Sequence, residues 1–243
     1  MNYFISDLHL SEAEPALTEL FYRFLDAHGP HMRALYILGD FFDAWIGDDD
    51  DRPLAQAVAG ALKQLTGTGC ALFFMHGNRD FLLGLPYAER CGMSLLPEIQ
   101  PLKAEGVLLC HGDHLCSLDL AYQDFRAQVR NPAWQAQFLA QPLSVRRAFA
   151  AKAKLQSQAH QRESIAVMAA ITDVDHDAVK ELQLAHPALT IIHGHTHRPG
   201  VHQMPHGQRV VLGDWRVNEA SWLALDGDQG ELVAHAQRWR FVM

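Results

Sequence analysis

Ile191-Ile192-His193-Gly194-His195-Thr196-His197-Arg198-Pro199 is an apolar run that breaks into histidines. Ala188 to Ile192 has the character of a short buried strand, and Gly194 lets the chain turn sharply at its end. His195 and His197, two apart on the emerging segment, are spaced to turn imidazoles toward neighbouring metals. Four other segments share the design: Tyr3-Phe4-Ile5-Ser6-Asp7-Leu8-His9, Leu35-Tyr36-Ile37-Leu38-Gly39-Asp40, Leu72-Phe73-Phe74-Met75-His76-Gly77-Asn78-Arg79-Asp80 and Val107-Leu108-Leu109-Cys110-His111-Gly112-Asp113. Strands that deliver Asp, His and Asn to one edge of a sheet lay out a metal site.

Between these strands the spacing predicts helices. Leu17, Leu20, Phe21, Phe24 and Leu25 share one face of a helix over Pro15 to His28. A second helix, Leu54 to Leu65, follows Pro53 and stops near Gly67 and Gly69. A short one runs through Tyr87 to Arg90, and another through Asp177 to Ala185. Weaker strands fall near Met93–Leu96, and Arg209–Leu212, Ser221–Leu225 and Glu231–Ala236 close the chain as short strands with a turn at Asp226-Gly227-Asp228. Asp48 to Asp51 is expected to be a solvated acidic loop. The alternation of strand and helix favours an α/β sheet with ligands at strand ends. Residues 119 to 171 break it: they carry almost no strand signal and long amphipathic stretches interrupted by Pro132 and Pro142. The expected architecture is a two-sheet α/β sandwich flanked by helices, with 1–118 and 172–243 as core and 119–171 as a helical insertion.

At 243 residues, 49% apolar, the chain suits one large globular unit. A net charge of −8 argues against general nucleic-acid binding. Fifteen histidines make metal chemistry worth testing. Cys70, Cys91, Cys110 and Cys116 show neither CxxC spacing nor a disulfide framework, and are expected to be plain thiols. The opening residues run straight into Asp7 and His9 rather than a leader, and no apolar run approaches the roughly 20 residues that span a bilayer. A cytoplasmic protein is the expectation.

Taken singly, Asp7-Leu8-His9, Gly39-Asp40-Phe41-Phe42-Asp43 and Gly77-Asn78-Arg79-Asp80 each pass for a strand-end turn. In this order, with Gly194-His195-Thr196-His197, the set resembles the calcineurin-like metallophosphoesterases, whose signature is DxH, GDxxD, GN[HR][DE], a further strand-end His and GHxH. The resemblance runs from residue 7 to residue 197. It implies paired mixed sheets flanked by helices and two divalent cations, for which Mn²⁺ is the expectation. It places Asp7, His9 and His197 on one, Asn78, His111 and His195 on the other, and Asp40 across both. A shared carboxylate offsets the repulsion of two cations about 3.5–4 Å apart, and O and N donors without thiolate suit Mn²⁺, Fe²⁺ or Zn²⁺. Asp43 and Asp113 are acidic neighbours able to orient ligand imidazoles. His76, His114 and His193 match no ligand position.

Many relatives carry His after the motif Asn, as proton donor to an alkoxide; here it is Arg79. Arginine stays charged and cannot act as a general acid, but it holds phosphate well. The substitution suggests a leaving group that needs no proton, such as a phosphate, and the bond cleaved would then be a pyrophosphate. Longer strings, among them Ala44-Trp45-Ile46-Gly47-Asp48-Asp49, His76 through Leu82 and Val210-Val211-Leu212-Gly213-Asp214-Trp215, resemble the UDP-2,3-diacylglucosamine pyrophosphohydrolases of lipid A biosynthesis. That resemblance implies water attack on the α-phosphate, with Asp40, Asn78, Arg79 and His195 catalytic. It implies substrate contacts at Asn78, Arg79, Asp119, Tyr122 and His195. In the insertion it puts Ser157 at a family position, but no lysine follows, leaving Gln161 and Ser164 as candidates and Arg162 as a replacement cation.

The insertion is expected to act as a lid holding acyl chains, because Tyr122, Phe125, Val129, Trp134, Phe138, Leu139, Leu143, Val145 and Phe149 exceed what a solvated excursion needs. Its basic residues suggest peripheral contact with the inner face of the inner membrane. No protein partner is implied. A generalist phosphodiesterase or nucleotide pyrophosphatase and a non-catalytic scaffold of the same fold are the other two readings.

Overall fold

The computed structural model describes residues 1–162, 173–205 and 207–243, the side chains of 156–162 falling outside that description. Period-two alternation sorts the core into layers. Strands β1 (Asn2–Ile5), β2 (Ala34–Leu38) and β3 (Ala71–Met75) pair in parallel, Phe4 opposite Tyr36 and Tyr36 opposite Phe73. Tyr3, Ile5, Leu35, Ile37, Leu72 and Phe74 turn to one face and pack on helices α1 (Pro15–His28), α2 (Pro53–Gly67) and α3 (Leu85–Cys91). Phe4, Tyr36, Leu38 and Met75 turn to the other, where Phe4, Tyr36 and Phe73 stack at 4.9 and 4.8 Å between ring centres.

The first sheet continues past β3 to β4 (Ser94–Leu95) and past β1 to β10 (Trp222–Asp226), β11 (Gln229–Ala234) and β12 (Gln237–Val242). The second runs β5 (Ile99–Leu102), β6 (Val107–Cys110), β7 (Thr190–His193), β9 (Gly207–Val211), β8 (Gly200–Met204). Val107, Leu109, Ile192 and Val210 meet Phe4, Tyr36 and Met75 between the sheets. Leu108, Cys110 and Ile191 face outward onto Val179 and Leu182 of α7 (His176–Ala185). The expected two-sheet sandwich flanked by helices is the observed architecture. All four cysteines are buried and free.

Helices α4 (Leu120–Val129), α5 (Pro132–Leu139) and α6 (Leu143–Arg162) fill the described part of the insertion. Asn131 caps α5 by accepting from the Ala133 and Trp134 amides, with Pro132 at the first turn. Trp134, Phe138 and Phe149 cluster at 4.9 to 5.7 Å between ring centres, and Phe138 belongs to the main core.

The Asp48–Asp51 run is only in part the solvated loop its composition suggested: Asp49 and Asp51 are exposed, but Asp50 is buried and Asp48 half-buried. Asp48 accepts from Trp45 Nε1 and from the Gly84 and Tyr87 amides. Asp49 takes the guanidinium of Arg146, and Asp50 those of Arg52 and Arg147. The run holds the insertion onto the core. Arg146 is 2% exposed and also donates to the carbonyls of Ile46 and Gln141. Arg146→Ala strips the buried Ile46 carbonyl of its donor, at about 1–3 kcal/mol. We expect a melting midpoint lower by about 4–8 °C in a thermal scan, since about 1 kcal/mol moves a chain of this size by 2–4 °C. A midpoint within 1 °C would show that this anchor adds nothing.

Candidate metal centre

Five strand ends converge. β1 leads into Asp7 and His9, β2 into Asp40, β3 into Asn78, β6 into His111 and β7 into His195 and His197. Backbone bonds fasten the loops to one another: Asp7 N donates to Gly39 O at 3.1 Å, His9 N to Asp40 O at 3.0 Å and Gly194 N to His111 O at 2.9 Å. Among the described residues nine non-glycine positions have positive φ, and five of them are Asp7, His9, Asp40, His195 and His197. Asp and His tolerate that conformation better than most residues, and strain of this kind gathers where a site over-determines the backbone.

The side chains converge as well. His197 Nε2 lies 3.3 Å from Asp7 Oδ1 and 3.4 Å from His9 Nε2. His111 Nε2 lies 3.7 Å from Asp40 Oδ1 and 3.0 Å from Asn78 Oδ1, which is also 2.9 Å from His195 Nδ1. Donor atoms of Asp7, His9 and His197 gather within 4.8 Å of one another, and so do those of Asp7, Asp40 and His111. The loop amide of His195 donates to Asp7 Oδ2 at 3.0 Å, and Ser6 Oγ does so at 2.5 Å. All seven residues expected as ligands share this space.

The donor set calls for cations. His111 Nδ1 sits 2.8 Å from the Leu38 carbonyl, so its proton points there and the Nε2 lone pair faces the Asn78 oxygen. Two lone pairs at that distance need positive charge, from a proton or a metal. His9 Nδ1 is buried without a hydrogen-bond partner, and buried Asp7 Oδ1 has only the approach of His197 Nε2 at 3.3 Å. Charges follow the same logic. Burial pushes Asp40 up to about 7, against the pull of His111, and Asp80 and Asp7 add to the rise. Burial acts the same way on Asp7, but the hydrogen bond and charge of His197 win and hold it below its ordinary value. Burial takes His9 down to about 4 and His195, beside His111, down to about 3, leaving them neutral donors. It also opposes the charge on His197 and His111, but Asp7 lifts His197 to about 9, and Asp40 with Asp7 raises His111. Buried carboxylates that lift nearby imidazoles are short of cations, so the residues present fit a divalent metal centre.

Arg79 borders the centre. Its backbone amide donates to Asp40 Oδ1 at 2.8 Å, and its Nε is buried with no hydrogen-bond partner. The Tyr122 ring lies 5.8 Å from that of His195, and its hydroxyl donates to Asp113 at 2.7 Å. Asp119 caps α4 through the Tyr122 amide. The side chains of Ser157, Gln161 and Arg162 lie outside the description, and Ser164 outside the described residues.

Two second-tier expectations come out differently. Asp113 does not reach a ligand imidazole: its Oδ2 accepts from Tyr122 and from Arg126 Nε at 2.8 Å, tying α4 to the His111 loop. Asp43 pairs with Lys154 Nζ of α6 at 2.6 Å. His76 and His193 are spent on Leu83 O and Arg209. Glu98, Asp113 and His114 form a third acidic group, but Arg126 already supplies its cation. Sequence reasoning passed over Asp80, whose carboxylate accepts four backbone amides beneath the site. The acidic last position of the GN[HR][DE] motif was the signal that pointed to it.

A two-sheet sandwich with this donor set at its strand ends defines a metallophosphoesterase, and residues 3–199 match the family described as calcineurin-like phosphoesterase. The chain belongs to that family. It is 51% identical over 235 residues to the UDP-2,3-diacylglucosamine hydrolase of Stenotrophomonas maltophilia (strain R551-3), covering 93% of this chain and 94% of that one. Proteins of the same name from Cellvibrio japonicus (strain Ueda107) and Serratia proteamaculans (strain 568) are 52% and 49% identical, over 87% and 95% of this chain and 90% and 97% of theirs.

Proposed function

We infer that this chain hydrolyses the pyrophosphate bond of UDP-2,3-diacylglucosamine in lipid A biosynthesis, releasing UMP and 2,3-diacylglucosamine 1-phosphate. The observation that carries this is the combination of near-half identity along almost the whole chain with a complete set of seven donor side chains. Asp7, His9 and His197 would hold one Mn²⁺, Asn78, His111 and His195 a second, and Asp40 would touch both. When bound, such a pair lowers the pKa of water and screens phosphate charge.

The chain's own residues do the rest. Burial and the Leu38 carbonyl keep His111 in one tautomer, and the Asn78 carboxamide is held between two imidazoles. Arg79, its backbone held by Asp40, binds the pyrophosphate through its guanidinium fork. Water attacks the α-phosphorus, the bridging P–O bond breaks, and its electron pair leaves on the sugar 1-phosphate, which needs no proton. Hydrolysis in ¹⁸O-water is the test: the label is expected in UMP, and label in the sugar phosphate would overturn attack at the α-phosphorus. Comparable efficiency on UDP-2,3-diacylglucosamine, UDP-glucose and bis(p-nitrophenyl) phosphate would favour the generalist.

Arg79→His should cost UDP-lipid hydrolysis about a hundredfold in kcat/KM, the scale of removing one transition-state charge contact. The chromogenic diester, whose phenolate leaving group does not present a second phosphate, should lose less than tenfold. Equal losses would count against a pyrophosphate-specific role for Arg79.

Residues 119–171 form the lid in this proposal, with Asp119 and Tyr122 on its first helix facing substrate and Ser157, Gln161 and Ser164 completing the contacts. Support comes from the surface. Among the described residues eleven large apolar side chains are exposed, and Leu118, Leu120, Leu139, Val145, Phe149 and Leu155 cluster in or beside the insertion. The same surface supports reversible contact with the inner face of the inner membrane. The basic residues do not carry that argument, because Arg126, Arg130, Arg146, Arg147 and Lys154 pair with carboxylates of the core. No helix among the described residues is long and apolar enough to cross a membrane.

A further inference from the structure

We propose that Asp80 is a positioning residue of the metal centre, its carboxylate fastening the turn that presents Asp40 to the turn that presents Asn78. Asp80 is fully buried. Its Oδ1 accepts from the amides of Asp40 at 3.2 Å and Gly77 at 2.9 Å, and its Oδ2 from those of Phe41 at 2.7 Å and Phe42 at 3.3 Å. Four amides from two strand-end loops therefore converge on one side chain. With both oxygens occupied by N–H groups, Asp80 is not itself a metal donor; it acts through the residues it holds.

The two loops are in backbone contact where this carboxylate sits. A methyl group on Gly77 would stand 2.3 Å from Asp40 N, and one on Gly39 would stand 2.4 Å from Gly77 N. Only glycine lets the strands end this close. The tie is also reciprocal. Asp40, in its left-handed turn at φ 51°, accepts the Arg79 amide at 2.8 Å, while Asp80 accepts the Asp40 amide. Each carboxylate holds the loop of the other, so the spacing of Asp40 from Asn78, and the aim of Arg79, are set together.

The chemistry requires a carboxylate. Four donors need two oxygens that each accept twice, and an amide of identical shape offers one. In Asp80→Asn an NH₂ group faces two backbone N–H groups, and the loops must part to relieve it. Loss of an outer partner of metal-binding residues costs about 10- to 100-fold in metal affinity or activity.

The inference rests on the metal reading of the site, and the test separates the two. Mn²⁺ titration by calorimetry, the circular dichroism spectrum and kcat with KM for UDP-2,3-diacylglucosamine are measured on the full chain and on D80N. The variant should keep the native spectrum, bind Mn²⁺ at least about tenfold more weakly, and at saturating Mn²⁺ show kcat down by about 100-fold with KM within threefold. A lower melting temperature with Mn²⁺ affinity and kcat within threefold of the unaltered chain would make Asp80 structural only and overturn the proposal. Failure of the unaltered chain to bind Mn²⁺ would overturn the metal reading instead. If D80N does not fold, hydrogen exchange on the unaltered chain decides. The Asp40, Phe41, Phe42 and Gly77 amides should be protected with and without Mn²⁺, and free exchange at those amides would remove the staple.

Discussion

Asp40→Ala is expected to reduce kcat on UDP-2,3-diacylglucosamine by about a thousandfold or more at saturating Mn²⁺, at or beyond the upper end for loss of one transition-state contact. The chain should still fold. Asp40 is 2% exposed, and its Oδ1 lies 3.7 Å from His111 Nε2 within a carboxylate and imidazole cluster that includes Asp7. Removing it leaves each half of the donor set without the residue that joins them. It also deprives the Arg79 amide of its acceptor, so the guanidinium loses its aim in the same step. Against this, a buried carboxylate pushed up to about 7 is costly to keep without cations, so its loss need not destabilise the metal-free chain. Metal content should fall with activity. A kcat within tenfold of the unaltered enzyme would remove Asp40 from the centre.

The candidate site was legible because its residues lie at strand ends, where a buried apolar run stops abruptly at a polar one. Tyr3–Ile5 before Asp7 and Leu35–Leu38 before Asp40 carry that edge in plain sequence. The strands that escaped notice are β5, β8 and β12, and each lies at the edge of its sheet. An edge strand is half solvated, so it need not be apolar. Pro101 in β5 and the alternation of Arg238, Trp239, Arg240 and Phe241 in β12 are tolerated there and would not be in the centre. Local propensity was enough for α1, whose buried face follows the 3.6-residue period from Leu17 to Leu25.

What sequence could not show was pairing at long range. Four consecutive aspartates, Asp48 to Asp51, look solvated because like charges in a row repel. Arg146 and Arg147, the partners of Asp49 and Asp50, come from nearly 100 residues away. The same pairs explain an apparent contradiction, a basic insertion in an acidic chain. Arg126, Arg130, Arg146, Arg147 and Lys154 of the insertion face carboxylates of the core, and each side offsets the charge of the other. Asp80 escaped for a related reason, since its four partners are backbone amides that no residue letter records.

The acyl chains should carry much of the substrate's affinity. With both chains removed, kcat/KM is expected to fall by about a thousandfold. Burying only five methylenes at about 0.8 kcal/mol each contributes about 4 kcal/mol, and 1.4 kcal/mol is a factor of ten. The lid should supply part of that contact. Of the nine apolar residues singled out in the insertion, Phe138 and Val129 are buried packing, and truncating them would test stability rather than binding. Leu139, Val145 and Phe149 keep 39%, 49% and 37% of their surface exposed, Phe149 while one side of its ring packs on Trp134 and Phe138. A variant carrying Leu139→Ser, Val145→Ser and Phe149→Ser together should therefore lower kcat/KM for the diacylated substrate by about tenfold or more, and leave the de-acylated one within twofold. Long-chain and short-chain substrates compared below their micellar concentrations separate chain binding from surface adsorption. Equal losses on acylated and de-acylated substrates would make the insertion scaffolding, with Trp134 and Phe138 as its only apolar role.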